Sequence, residues 1–131
     1  MMEEPEYLLD ASAVLSLIQN EPGADRVAGM LATAAISAVN LAEVITILVR
    51  RSGDPDAAIR MMLLLNLQVL AWGESSAHHS RLFAYLADSG LSLGDRACIT
   101  EGMRFAKTRI ATTDRAWKKV KGVAARLILI R

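Results

Sequence analysis

Four carboxylates stand at the edges of short apolar runs: Asp10 in Tyr-Leu-Leu-Asp-Ala-Ser, Glu43 in Val-Asn-Leu-Ala-Glu-Val, Asp95 in Leu-Ser-Leu-Gly-Asp-Arg-Ala-Cys, and Asp114 in Ile-Ala-Thr-Thr-Asp-Arg-Ala-Trp. Strand ends and first helical turns are where an open α/β sheet gathers its ligand groups. Carboxylates gathered there repel one another unless a positive charge sits among them. A hard divalent cation with oxygen ligands, Mg²⁺ or Mn²⁺, meets that need. Such a centre suits metal-assisted hydrolysis of phosphodiesters.

Each acid also has a plainer role open to it. An Asp between strand and helix is often a cap, although Ser12 competes with Asp10 for that position. Glu43 follows Asn40 at capping-box spacing, and Asn40, Glu43, Thr46 and Arg50 form a polar stripe that faces either solvent or a polar cleft. Asp95 shares a helix face with Cys98, Ile99 and Gly102, so it reads as buried, where an unpaired carboxylate is costly; pairing with Ser92 as a cap is its alternative. Asp114 either caps a short helix holding Ala116 and Trp117 or joins the ligands. Ser12, Asn40, Thr112 and Thr113 are the hydroxyls and amide placed to orient the carboxylates. Arg96 and Arg115, each next to an acid, are either solvated charges or contacts for phosphate.

The elements that must position these groups are short. Tyr7 to Leu9 reads as a first strand, with a helix over Ala13 to Gln19 and another over Ala24 to Ala32. Ala34 to Ser37 suits a second strand. Asn40 is placed to cap a long helix to Arg51, stopped by Ser52-Gly53-Asp54-Pro55, and Pro55 opens the helix that carries Met61 to Leu65. Leu67 to Ala71 is a third strand. Helices follow over Ser75 to Ala87 and, opened by Ser92, over Leu93 to Lys107. Arg109 to Thr112 and Leu127 to Ile130 are the last two strands. Alternation of this kind predicts right-handed crossovers and a parallel sheet covered on both faces.

At 131 residues the chain fits one domain, 1–131, with no repeat or linker. A net charge of +1 excludes a generally basic nucleic-acid binder but not a basic rim around an acidic pocket. The single cysteine, Cys98, fits a reducing compartment and a small core side chain. No apolar run reaches membrane-spanning length, and Glu3, Glu4 and Glu6 stand where a secretory signal carries Lys or Arg. The expectation is a soluble, cytoplasmic protein. His78 and His79 have no partners at zinc-ligand spacing and read as surface residues; Trp72 and Trp117 read as packing.

Taken in this order, the four motifs resemble those of PIN-domain ribonucleases, and most closely the VapC toxins of bacterial and archaeal toxin–antitoxin pairs. The likeness runs from Leu8 to Ile130, and Leu-Ser-Leu-Gly-Asp-Arg-Ala-Cys-Ile is its most specific segment. The resemblance implies a three-layer α/β fold with a five-stranded parallel sheet in the order 3-2-1-4-5. It assigns metal-ligand and catalytic roles to Asp10, Glu43, Asp95 and Asp114. It further implies Mg²⁺- or Mn²⁺-dependent cleavage of RNA, with tRNA a common substrate class, a homodimer, and a small antitoxin that presents an Arg or Lys to the acidic site.

Other readings fail at named positions or remain open. A phosphoreceiver domain needs an acceptor Asp after its third strand, where Leu70-Ala71-Trp72-Gly73 stands. A haloacid-dehalogenase-like phosphatase needs a second Asp where Ser12 is, and no Gly-rich phosphate loop with Lys is present. A catalytically silent partner-binding protein, whose acids only cap helices, and a non-toxin RNA-processing nuclease both stay open.

Overall fold

Strands β1 (Tyr7–Leu9), β2 (Ala34–Ser37), β3 (Gln68–Leu70), β4 (Arg109–Thr112) and β5 (Leu127–Leu129) form one parallel sheet in the order β3-β2-β1-β4-β5. The computed structural model describes residues 4–131, so Glu3 of the acidic N-terminal stretch lies outside the described residues. The sheet order is the expected one.

β1 is a continuous apolar run, as befits a parallel strand covered on both faces. Leu8 pairs with Ala35 and Ile110, and Leu9 with Ile36 and Ala111. Successive side chains leave opposite faces of a strand, so Leu8 and Leu9 seed two separate cores. Leu9 packs with Val14, Val27, Ile36, Val44 and Met62. Leu8 packs with Cys98, Ile99, Ile110, Trp117 and Val123. Both leucines are fully buried, and truncating either to Ala is expected to cost about 2–5 kcal/mol. Parallel register also brings the ends of β1, β2 and β4 to one edge, which places Asp10, Ser37 and Thr112 there together.

The helices are α1 (Ala11–Ile18), α2 (Ala24–Ala28), α3 (Ala38–Ser52), α4 (Pro55–Leu65), α5 (Glu74–His79) and α6 (Leu93–Met103). Three departures from the sequence reading have local causes. Helix α2 stops before Gly29, and Leu31–Thr33 forms a separate 3₁₀ turn. Helix α5 gives way to 3₁₀ structure over Ser80–Ser89, where Ser80 Oγ and the Arg81 guanidinium donate to the carbonyls of Ala77 and His78. Helix α6 ends at Met103 instead of Lys107, because the Arg126 guanidinium takes the carbonyls of Gly102 and Phe105.

The caps also differ from expectation at two helices. Asp10, not Ser12, caps α1, its Oδ1 accepting from Ala13 N at 2.8 Å. Ser37, not Asn40, caps α3, its Oγ accepting from Asn40 N at 3.1 Å. In both cases the extended strand conformation runs on to the cap, so the helix begins earlier than its apolar pattern. Among the described residues no helix is long and apolar enough to cross a membrane.

Candidate active site

Asp10, Glu43, Asp95 and Asp114 line one cavity of about 460 Å³ at the strand-end edge, together with Ser12, Asn40, Thr113 and the apolar Leu15 and Ile47. Asp10 and Asp114, 104 positions apart, meet because β1 and β4 are neighbours, and Glu43 and Asp95, 52 apart, because α3 lies beside α6. Asp10 is buried, Glu43 and Asp95 are half-buried, and Asp114 is exposed.

Asp10 is the most tightly held. Ser12 Oγ donates to its Oδ1 at 2.7 Å, and Thr112 Oγ1 to its Oδ2 at 2.5 Å. The network reaches the next acid: Asp114 N donates to Thr112 Oγ1 at 3.0 Å, and Thr113 N to Ser12 Oγ at 3.0 Å. Burial pushes the Asp10 carboxyl up to about 6; the bonds from Ser12, Thr112 and Ala13 pull the other way, and the nearby charge of Asp95 adds to the rise.

Glu43 is held from the side. The buried Asn40 donates from Nδ2 to Glu43 Oε1 at 2.8 Å and to the Gly94 carbonyl at 3.0 Å, and accepts from Ser37 Oγ at 2.6 Å. One amide therefore ties the end of β2, the side chain of Glu43 and the start of α6. Asp95 completes a capping box with Ser92, its Oδ2 accepting from Ser92 N at 3.0 Å. Asp114 caps the 3₁₀ turn Arg115–Lys119, its Oδ1 accepting from Ala116 N at 2.9 Å. Capping and cavity-lining, posed as alternatives by the sequence, coexist in Asp10, Asp95 and Asp114.

Among the described residues the ion pairs are His78–Glu74, Arg104–Glu101 and Arg131–Glu21; none of the four cavity acids has a cationic partner. That uncompensated, all-oxygen donor set fits a hard divalent cation in its chemistry. As the side chains stand, no three His, Cys, Asp or Glu among the described residues converge tightly enough to hold one ion. Helix capping draws Asp95 Oδ2 and Asp114 Oδ1 toward backbone N–H groups. The buried Cys98 thiol, behind the acids, is pushed up by burial and then by Asp10, Asp95, Glu43 and Glu101.

The two arginines differ. Arg115 is exposed beside Asp114. Arg96 is half-buried, its Nε enclosed and without a hydrogen-bond partner among the described residues. Neither lines the cavity. His78 is exposed and His79 half-buried, Trp117 is buried in the core, and Cys98 is buried as expected. Sequence reasoning missed Glu101, a buried carboxylate of α6 paired at 3.1 Å with Arg104, the residue just past the helix end; their spacing of three was the available signal. It also missed Gly94.

Solved structures similar to this chain include the DNA-bound VapBC of Salmonella typhimurium, at 19% identity, covering 98% of this chain and 100% of that one, with a TM-score of 0.72. VapBC-1 from nontypeable Haemophilus influenzae is 22% identical, covering 95% of this chain and 97% of that one, with a TM-score of 0.68. A toxin–antitoxin complex from Klebsiella pneumoniae is 16% identical, covering 95% and 98%, with a TM-score of 0.68. At these identities the likeness is one of fold. A comparison with curated protein sequences finds no match. The model of the PIN domain family matches residues 7–123, nearly the whole sheet and all four acids, and the chain belongs to that family.

Proposed function

We propose that this protein is a divalent-metal-dependent endoribonuclease and the toxin of a toxin–antitoxin pair. The observation that carries the reading is the set of four carboxylates, without cationic partners among the described residues, on one cavity at the strand-end edge of a PIN sheet. Mg²⁺ or Mn²⁺, when bound there, supplies charge to a phosphate and lowers the pKa of a water.

The chain's own residues do the rest. Asp10, held by Ser12 and Thr112, is the fixed carboxylate on which the others are arranged. Asn40 orients Glu43. Asp95 and Asp114 each keep one carboxylate oxygen with no hydrogen bond among the described residues. The cavity lining has no His or Lys, so an acid–base pair for attack by the RNA 2′-hydroxyl is not provided there; hydrolysis by water is favoured. Arg115, Lys118 and Lys119, exposed on the turn after Asp114, form a basic rim suited to RNA phosphates, and Arg96 is the second proposed contact. A tRNA or another structured RNA loop is the proposed substrate class.

The proposed protein partners are an antitoxin, as in the VapBC complexes that share the fold, and a second copy of the chain. Val27, Met30, Val44 and Met62 are buried and belong to the core. Ile59, Met61, Leu63 and Leu64 of α4 stay exposed, beside an apolar groove lined by Leu41, Ile45, Met62 and Leu67. The silent-binder alternative draws on the caps made by Asp10, Asp95 and Asp114. Incubating the purified protein with total tRNA separates the readings: cleavage that stops with a chelator and resumes with excess Mn²⁺ supports the nuclease. Cleavage undiminished in EDTA, or none under any metal, contradicts it.

A further inference from the structure

We infer that Gly94 is a positioning residue for Glu43, its missing side chain being the seat on which the Glu43 carboxylate rests. The inference deepens the metal-site reading above and rests on it. A Cβ added at Gly94 would lie 2.3 Å from Glu43 Oε2 and 2.4 Å from both Cδ and Oε1. All three atoms belong to one carboxylate, and real Cβ atoms do not approach so closely.

The backbone gives no other reason for glycine here. Gly94 is in the first turn of α6, without the left-handed conformation that requires glycine at Gly23, Gly53, Gly90 and Gly122. Alanine favours a helix over glycine. Gly102, further along α6, is different in kind: a Cβ there meets Ile110 and Leu8, which is core packing. At Gly94 the obstacle is the end of a flexible side chain. An added methyl therefore displaces the carboxylate and leaves the fold intact.

The carboxylate cannot move without loss, because Asn40 fixes both sides of the contact. Its Nδ2 donates to Glu43 Oε1 at 2.8 Å and to the Gly94 carbonyl at 3.0 Å. Asn40 and Gly94 together hold Glu43 over the start of α6, on the same cavity as Asp95. Gly94 acts only through Glu43, so replacing it has consequences that depend on Glu43 being present.

That dependence is the test. Gly94→Ala, Glu43→Ala and the double variant are compared with the wild type by Mn²⁺ titration calorimetry of metal-free protein and by thermal melting. Gly94→Ala is expected to stay folded and weaken Mn²⁺ binding about tenfold or more. In the Glu43→Ala background the same change is expected to leave Mn²⁺ affinity unaltered and to raise the melting temperature, as alanine normally does in a helix. Unchanged Mn²⁺ affinity in Gly94→Ala, or one melting shift in both backgrounds, overturns the assignment. Should wild-type protein bind no Mn²⁺, the metal-site reading fails by itself. The melting cycle then decides the contact: a background-dependent shift supports it and an equal shift refutes it.

Discussion

Thr112 Oγ1 donates to Asp10 Oδ2 at 2.5 Å, and the same oxygen accepts from Asp114 N at 3.0 Å. One hydroxyl at the end of β4 thus holds two of the four acids, one from β1 and one from its own loop. Thr112→Val keeps the shape and removes both bonds. It is expected to lower stability by about 1–3 kcal/mol, since Asp10 is left buried with a lost donor. It should weaken Mn²⁺ binding about 10- to 100-fold. Urea unfolding and calorimetric titration measure the two effects, and an unaltered metal affinity would leave Thr112 a purely structural residue.

The buried Asp10 makes stability depend on pH in the metal-free protein. Its folded pKa, about 6, lies above the ordinary 3.8, so between these values the native state binds more protons than the unfolded chain. The Asp10 contribution is therefore most favourable below about pH 4 and is lost as pH rises through about 6. A shift of this size corresponds to roughly 3 kcal/mol at most. Unfolding free energies of wild type and Asp10→Asn across that window should converge at low pH and separate above pH 6, with the variant the more stable. Parallel profiles would count against a buried Asp10 carboxylate with a raised pKa.

Leu63 and Leu64 of α4 are 72% and 79% exposed, too open to contribute to the monomer's core. Replacing both with Glu is expected to leave the melting temperature and RNA cleavage nearly unchanged. It should reduce capture of the co-expressed antitoxin by pull-down. Full retention of the antitoxin would place its contact elsewhere.

Much of this architecture was legible because local patterns agreed with tertiary demands. The four acids, the strand runs Tyr7–Leu9 and Arg109–Thr112, and the Gly53 stop all carry short-range signals. The misread caps show the limit: Ser12 and Asn40 have suitable side chains, but where a strand ends depends on its neighbours, and that selected Asp10 and Ser37. The end of α6 depended on Arg126, distant in sequence. Gly94 was unreadable for the same reason, since its partner Glu43 lies on another helix. Arg96 follows Asp95 directly, yet helical geometry turns adjacent side chains apart, and its Nε ends enclosed.

The rate of tRNA cleavage by Asp95→Asn beside wild type in Mn²⁺ decides whether the four acids form a catalytic metal site. Asn retains an oxygen to accept from Ser92 N, so the cap and fold are expected to survive while one ligand charge is removed. The variant is expected to fold and to cleave about a hundredfold more slowly or worse. A folded Asp95→Asn that cleaves RNA at the wild-type rate would contradict the metal-site reading.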